Sequence, residues 1–475
     1  MKQKEEFKKT ETEDELKEKT KKLSIKEGIA SSVMDGAGGN YLSLYALNIL
    51  KANNTQIGLL TSIPSLLGNL SQLFTAKALE KYPRKKIIVL GAFLQALMWI
   101  PVVLIGYLYF YKNFGSNLSA SLLIAVYTVF TLFGAFLSPA WNSLIKDIVT
   151  EDSGVYFGRR NKLTGIVSLI VILICGFSLN QLTGMDLFFG FAGLFGISLI
   201  AKLVSCYLLT KHYDPKLKLE KGYYFSFWQF IRKIPKSNYG KFTAFVSLFI
   251  SATYIASPYF SVYMFRNLNF SYGTWALIVL SGSVSSFLFM PVWGKFADKF
   301  GNLKVLKITG AFIPIAPLLW LLTPLLYNIN PTFVVIYLFI EEFVVNFIWA
   351  GFNLSVTNFI YDAVTRQRLA LCVAYYSILR GAGVFIGTTI GGFLSAVNIP
   401  LFSFSSLLFV FLVSGIVRFI IYGLMIGKIK EVREVEKYRN GALGKEIKKQ
   451  VILPLHDKFN HPPVGRPLGG ITLFK

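Results

Sequence analysis

The sequence predicts an all-α membrane protein in which twelve transmembrane helices form two pseudo-symmetric six-helix bundles. The 475 residues are 53% hydrophobic and only 16% charged, whereas about a quarter of the residues in a soluble domain are charged. Twelve apolar runs are about 20 residues long, the length that a helix needs to cross a bilayer. Residues 76–86 return as residues 294–304, and residues 144–150 return as residues 359–365. The two shifts (294 minus 76 and 359 minus 144) are nearly equal, which indicates a tandem duplication.

The predicted spans fall into two groups of six, separated by a polar segment. The N-terminal bundle, residues 26–210, has spans at residues 26–49, 55–76, 86–109, 119–143, 162–183 and 186–209. The C-terminal bundle, residues 241–427, has spans at residues 242–264, 273–293, 304–327, 332–358, 369–396 and 403–427. The remaining segments are an N-terminal tail (1–25), a central loop (211–240) and a C-terminal tail (428–475). Aromatic residues ahead of Arg232 in the central loop favour a helix on the membrane surface, with a flexible linker as an equal alternative.

The distribution of basic residues predicts the orientation of the helices. Nearly all of the 49 Lys and Arg residues fall in the tails and in the loops on one side. The exceptions are Lys51, Lys112 and Arg266 on the other side and Lys202, Arg380 and Arg418 inside spans. The positive-inside rule therefore predicts a multi-pass protein of the plasma membrane with both termini in the cytosol. Topology and attraction to anionic lipid explain the net charge of +24 better than binding to nucleic acid does.

The sequence lacks the residues that several classes of function require. The cysteines Cys175, Cys206 and Cys372 lie in or beside spans, where reduced packing residues are expected rather than disulfides. The Lys/Glu-rich N-terminus predicts no cleavable signal peptide. The sequence shows no phosphate-binding loop, no clustered histidines and no nucleophile–base motif. We therefore expect no ATP-driven pump, no metal, no cofactor and no enzyme, and we expect a monomer.

The repeated loop carries the most specific motif. Gly294-x-x-x-Asp298-Lys299-x-Gly301-x-x-Lys304 resembles the signature between the second and third helices of each half in the major facilitator superfamily. The first copy is degenerate, with Ala76, Glu80 and Pro83 at the positions of the first glycine, the aspartate and the second glycine. The resemblance covers residues 26–427 and implies a secondary transporter that works by alternating access.

Acids at the ends of the fourth and tenth spans predict partners for these loops. We expect Asp147 to face the basic cluster from Lys81 to Lys86, and Asp362 to face Lys299 or Lys304. Across the halves, Asp298 should approach Arg159 and Arg160, and Glu80 should approach Arg366 or Arg368. Such pairs would form when the cytosolic side closes; the alternative is that they set only topology and loop structure. The candidate gating residues are Glu80, Lys81, Arg84, Asp147, Arg159, Arg160, Gly294, Asp298, Lys299, Gly301, Lys304, Asp362 and Arg366.

Charged residues inside the spans are candidates for coupling because a bilayer disfavours charge. Asp35 is followed by three glycines within five residues, which predicts a helix that bends or unwinds there. Glu341 and Glu342 are adjacent, so we expect one of them to pair with Arg380 and the other to face a cavity and exchange protons. The alternative is a purely structural Glu–Arg pair. Lys202 and Arg418 lie nearer the cytosolic ends of their spans, where snorkelling explains them.

The resemblance also places the first, fourth, seventh and tenth helices around the substrate path. The polar and aromatic candidates on these helices are Asn40, Tyr41, Tyr45, Trp141, Asn142, Tyr254, Tyr259, Asn346 and Asn353. Together they favour an amphiphilic organic solute. In the eleventh span, Gly383, Gly387 and Gly391 form a small-residue stripe that we expect to contact the second span.

These patterns predict a secondary active transporter of a small organic solute, coupled to protons through a buried carboxylate. The alternatives are a proton-independent uniporter and a membrane receptor or scaffold that transports nothing. The duplicated loop disfavours the receptor.

Overall fold

The computed structural model describes residues 12–149, 153–215, 226–397, 405–436, 443–444 and 448. The side chains of Glu80 and Arg366, two predicted gating residues, lie outside the described set, as do residues 216–225 of the central loop. Within these ranges all regular secondary structure is helical.

The first half contains six long helical segments, of which the first and third are interrupted. The first consists of α1 (Glu13–Met34), a π-helical turn (Asp35–Gly39) and α2 (Leu42–Asn48). The others are α3 (Asn54–Lys81), α4 (Arg84–Leu97) continued by α5 (Trp99–Tyr111), α6 (Ser116–Ile148), α7 (Ser153–Leu179) and α8 (Gly184–Thr210). Helix α1 starts well before residue 26 because Thr12 and Glu15 form a capping box at its N-terminus.

The second half repeats this order. A short helix, α9 (Phe227–Lys233), precedes α10 (Asn238–Tyr254), which α11 (Tyr259–Arg266) continues. The following segments are α12 (Tyr272–Phe300), then α13 (Asn302–Phe312), α14 (Ile315–Leu319) and α15 (Thr323–Ile329) in one broken span, then α16 (Pro331–Ala363), α17 (Arg366–Leu394) and α18 (Ser406–Met425). Over the described ranges, ten of the twelve segments are long and apolar enough to cross a membrane.

Helix α9 lies in the central loop where the sequence favours a surface helix. Ser226 caps its N-terminus through the backbone nitrogen of Gln229. Phe230 is buried against Tyr239 and Tyr375, whereas Trp228 is 71% exposed. One face of the helix therefore packs on the second half, and the other presents an aromatic ring outward.

The glycine stripe of α17 packs against α10, so the predicted contact with the second span is wrong. A Cβ atom at Gly387 would overlap the backbone carbonyl of Ser251, and one at Gly383 would lie 2.5 Å from the carbonyl of Ser247. The second span meets a different face of α17, where Gly381 lies against Asn69. Small residues thus let α17 contact a neighbour on two faces.

All three cysteines are buried and free, as a packing role requires.

Candidate functional site

Three neighbouring cavities with shared wall residues lie between the helices. The first-half cavity has a volume of about 450 Å³ and is lined by residues of α1, the π-helical turn, α4, α6, α7 and α8. The middle cavity, about 340 Å³, shares Tyr127, Thr131 and Ala135 with it. The second-half cavity, about 300 Å³, shares Arg380 with the middle cavity. The middle cavity therefore has a wall in common with each of the other two.

Asp35 and Lys202 line the first-half cavity. Asp35 begins the π-helical turn at the predicted flexible point of the first span, and its side chain is exposed to the cavity. Lys202 is only 7% exposed and has no hydrogen bond or ion pair shorter than 4.0 Å to a described residue. Its ammonium group interacts electrostatically with Glu27 and Asp35 instead. Snorkelling is therefore wrong for Lys202, because its side chain faces the interior.

Glu27 is a functional candidate that the sequence prediction missed, because it lies at the very start of the predicted first span. It is 5% exposed and accepts hydrogen bonds of 2.9 Å from both Ser31 and Ser205. The Arg160 guanidinium lies 3.3 Å from Glu27 and stacks on Trp141 at 4.7 Å from the ring centre. Arg160 therefore pairs within the first half in this structure, and its contact with Asp298 on closure of the cytosolic side stays a prediction.

Glu341 and Glu342 both line the second-half cavity, but neither forms the expected ion pair with Arg380. Glu342 accepts a 2.7 Å hydrogen bond from Asn346. Glu341 is 5% exposed, and its Oε2 has no hydrogen-bond partner among the described atoms. Arg380 lines the same cavity, yet no Nη–carboxylate distance within 4.0 Å joins it to a described acid. The base that interacts electrostatically with Glu341 is Arg418.

Arg418 is buried rather than snorkelling, contrary to the prediction. It is 2% exposed, and its guanidinium donates to Ser414 Oγ (3.1 Å), Ile313 O (3.3 Å) and Thr253 O (3.2 Å). Lys202 and Arg418 are separated along the chain by 418 minus 202 residues, which is close to the shift of the tandem duplication. Each half therefore buries a base on its last helix facing an acid in its own cavity.

The predicted aromatic and amide candidates divide between the cavities and the packed core. Tyr254, Asn346 and Asn353 line the second-half cavity, and Trp141 lines the first-half cavity. The candidates that do not line these cavities are Asn40, Tyr41, Tyr45, Asn142 and Tyr259.

Those five residues have other partners or positions. Tyr41, Tyr45 and Tyr259 are fully buried, and their hydroxyls donate to the backbone carbonyls of Ile172, Val102 and Thr388, respectively. Asn40 donates to the backbone carbonyl of Asp35 at 2.8 Å, and Asn142 is exposed.

The motif loop of the first half contains the predicted pairing. Arg84 is 2% exposed and donates to Asp147 at 2.6 Å. Arg84 also donates to Asp214 at 3.0 Å, and Asp214 accepts from the backbone nitrogen of Lys85 at 3.1 Å. An acid from the segment after α8 thus caps α4 at its first turn, where the helix dipole favours negative charge. Lys81 and Arg159 are exposed at this end.

The second motif loop has the same plan with different partners. Asn302, at the repeat position of Arg84, donates to Asp362 at 2.7 Å. Glu431, at the repeat position of Asp214, accepts from the backbone nitrogen of Leu303 at 2.8 Å and so caps α13. The positive charge comes from Arg433 of the C-terminal tail, which lies 3.1 Å from Asp362 and 3.8 Å from Asp298.

These contacts add partners that the sequence did not predict. Asp362 contacts Asn302 and Arg433, because the tail folds back onto the loop. Lys299 pairs with Glu436 at 3.6 Å. Asp298 faces Arg433 in this structure, and its approach to Arg159 and Arg160 on closure of the cytosolic side stays a prediction. Gly301 has a φ of 89° and lies against Glu431, whereas a Cβ at Gly294 would meet only Leu354 at 3.8 Å.

At the end opposite the motif loops, hydrogen bonds join the two halves. Arg266 donates to Asn54 at 2.8 Å, and Asn48 donates to Tyr272 at 2.7 Å. Asn180 accepts from the backbone nitrogen of Gly273 at 2.7 Å. These bonds close the opposite end of the bundle.

Comparisons with known proteins give one family model and several structures of similar fold. A family profile described as Major Facilitator Superfamily matches residues 28–388. The structure is similar to that of a point mutant of the nucleoside transporter NupG, with a TM-score of 0.64 and 15% identity over 86% of this chain and 100% of that chain. It is also similar to a bacterial homologue of the iron transporter ferroportin in the inward-facing state, with a TM-score of 0.63 and 11% identity over 86% and 98% of the two chains.

A third similar structure is a bacterial homologue of the human lysosomal transporter Spinster, inward-facing and unoccupied. Its TM-score is 0.57 and its identity 13%, over 88% of this chain and 99% of that one. A comparison with curated protein sequences finds no match. At these identities the likeness shows the fold and not the solute.

Proposed function

The chain belongs to the Major Facilitator Superfamily of membrane transport proteins, and we propose that it moves a small organic solute by alternating access, coupled to protons. The observation that carries the proposal is the Glu341–Glu342 pair in the second-half cavity. Two adjacent carboxylates line a cavity at mid-span, and one has an oxygen without a hydrogen-bond partner among the described residues. A membrane protein retains such groups mainly at solute and ion pathways.

Glu342 is the better candidate for proton exchange. Glu341 is nearly fully buried and shares its cavity with the base Arg418, whereas Glu342 is half-buried and its carboxylate accepts a hydrogen bond from the neutral amide of Asn346. A carboxylate in a site of low dielectric takes up a proton more readily when no base compensates its charge. Proton loading at Glu342 would therefore change the charge of the cavity during a transport cycle.

The motif loops supply the gate in this proposal. We place the motif end in the cytosol of a cell with the protein in its plasma membrane, because the basic residues gather there. The hydrogen bonds of Arg266, Asn48 and Asn180 hold the other end shut, which corresponds to an inward-facing state. The buried Arg84 cluster keeps the first half rigid as the halves rock, whereas the more exposed Arg433 cluster lets the motif loop of the second half loosen. A monomer of two bundles, residues 26–210 and 241–427, suffices for this cycle.

Uptake into proteoliposomes tests the proposal. The purified protein is reconstituted with a panel of labelled solutes that includes uridine, because one structural neighbour is a nucleoside transporter, and uptake is measured with and without an inward proton gradient. We expect at least one solute to accumulate only with the gradient. The Glu342→Gln variant should keep exchange of that solute and lose gradient-driven accumulation, while Lys112→Gln, an exposed control at the opposite end, should match the wild type.

Other outcomes separate the alternatives. Uptake that ignores the gradient in the wild type indicates a uniporter. If no solute in the panel moves under any gradient, the transport proposal fails and a receptor or scaffold is favoured. If Glu342→Gln accumulates solute as the wild type does, proton coupling through Glu342 is wrong.

A further inference from the structure

Arg380 has a place in the structure that no predicted pairing explains. It lies near the middle of α17 and is shared by the walls of the middle and second-half cavities. No hydrogen bond or ion pair to it from a described residue is present. The other arginines of the cavities are engaged, since Arg160 contacts Glu27 and Arg418 donates three hydrogen bonds.

The lining of the middle cavity carries positive charge only. Arg380 is the charged residue of its lining, and no acid lines it. The polar groups around it are the hydroxyls of Ser43, Thr61, Ser65, Tyr127 and Thr131 and the amide of Asn69. Hydroxyl and amide groups can donate hydrogen bonds to an anion, and a guanidinium presents two parallel donors to a carboxylate.

We propose that the middle cavity binds the anionic group of the transported solute, and that the solute is a small organic carboxylate. Arg380 is half-buried between membrane helices, where a guanidinium that has no hydrogen bond or ion pair to a described residue is costly, so an anion from the solute is the partner that the site lacks. The volume of about 340 Å³ lies in the lower part of the range for small-molecule pockets. This inference rests on the proposed transport function and names its substrate class.

The position of the site also links the two halves. Apart from Arg380, the lining residues belong to the first half: Gly39 to the π-helical turn, Leu42 and Ser43 to α2, and the rest to α3 and α6. An anion held between Arg380 and this wall therefore contacts both halves at once. Because Arg380 also lines the cavity of Glu342, loss of negative charge at Glu342 and arrival of an anion at Arg380 favour each other electrostatically.

Matched charged and neutral probes test the charge requirement. Thermal unfolding of the full-length protein in one detergent is followed with benzoate, with its neutral amide benzamide, and with inorganic phosphate. We expect benzoate to raise the melting temperature in a saturable manner and benzamide to leave it unchanged. Phosphate should act more weakly, since the lining holds one basic side chain; a stronger effect of phosphate than of benzoate would overturn the carboxylate assignment.

Variants locate the effect. Arg380→Gln should abolish stabilisation by benzoate, Arg380→Lys should bind benzoate at least ten-fold more weakly, and Lys112→Gln should bind it as the wild type does. If Arg380→Gln does not fold, Thr131→Val provides a second test, because removing one hydroxyl should weaken benzoate binding several-fold while keeping the charge.

The inference is overturned if benzoate stabilises Arg380→Gln as well as the wild type, if benzamide matches benzoate, or if neither benzoate nor phosphate stabilises the wild type. Uptake measurements keep this failure distinct from failure of the transport proposal. A neutral solute such as uridine that is transported equally by the wild type and Arg380→Gln would sustain transport and refute the anion site.

Discussion

Arg433 should be replaceable by an arginine at position 302. In the first half, Arg84 supplies the positive charge between α4 and Asp147, whereas in the second half its repeat position holds the neutral Asn302 and the charge comes from the tail. The Arg433→Ala change removes that charge and leaves Asp362 with Asn302 as its partner. In Asn302→Arg/Arg433→Ala, a guanidinium returns to the same acid from the other side.

The magnitudes follow from burial and contacts. The Arg84 side chain is 1% exposed and makes five hydrogen bonds, so its removal should lower the free energy of unfolding by about 3–5 kcal/mol. The Arg433 side chain is 34% exposed; besides the ion pair with Asp362, it donates to the Ala297 carbonyl at 3.0 Å. Solvent screens this site, so Arg433→Ala should lower the free energy of unfolding by about 1–2 kcal/mol.

Thermal unfolding of the purified variants in one detergent ranks their losses of stability. We expect Arg84→Ala to lose the most stability and Arg433→Ala less, while Arg232→Ala, an exposed control on α9, should match the wild type. The double variant should regain at least half of the Arg433→Ala loss. The single Asn302→Arg change should destabilise, because two guanidiniums then compete for Asp362. The reasoning is refuted if the double variant is no more stable than Arg433→Ala, or if Arg433→Ala equals the control.

Two further predictions concern packing and pH. Gly387→Ala should destabilise by at least about 1–3 kcal/mol because its Cβ overlaps the carbonyl of Ser251; Gly423→Ala, with open space around it, is the control in the same melting assay. Burial lowers the pKa of His212 below its ordinary 6.5, so the folded protein holds this ring neutral. Stability should therefore fall as the pH drops through 6.5, by at most about 1.4 kcal/mol at pH 5.5. The His212→Leu variant should lack this decrease in the free energy of unfolding between pH 7.5 and 5.5. If its stability depends on pH as that of the wild type does, His212 is not the cause.

The number and order of the helical segments could be predicted from apolar runs, because span length and the repeat are properties of the chain alone. The direction in which a side chain points on a helix could not be predicted in this way. Tyr254 and Tyr259 are both on the seventh span, yet one lines a cavity and the other is fully buried with its hydroxyl on Thr388. The break between α10 and α11 at Pro258 separates them. Hydropathy carries no information about that rotation, which packing against α17 determines.

The sequence could predict the partner of one motif loop but not of the other. The Arg84–Asp147 contact could be predicted because both residues lie in repeated segments of one half. The Arg433–Asp362 contact could not, because Arg433 lies in a tail with no apolar pattern. One signal was available: Asp214 and Glu431 are separated by nearly the repeat shift, as are Lys202 and Arg418. Comparing charged residues across the duplication, rather than only the motif letters, would have identified both sets.

The two halves differ in which segment carries the arginine of the motif loop, and this difference affects how each loop can move. In the first half, the charge that binds Asp147 belongs to α4, so it moves with that helix. In the second half, the charge is carried by a segment after α18, so Asp362 and Asp298 are tied to the tail as well as to their own helices. Any rearrangement of α12 or α16 at the motif end must therefore move the tail or break its ion pairs. Because the Arg433 side chain is 34% exposed, its ion pairs break at lower cost than the buried Arg84 cluster. The second half is thus the one whose motif loop can loosen, although its motif sequence is the better preserved of the two.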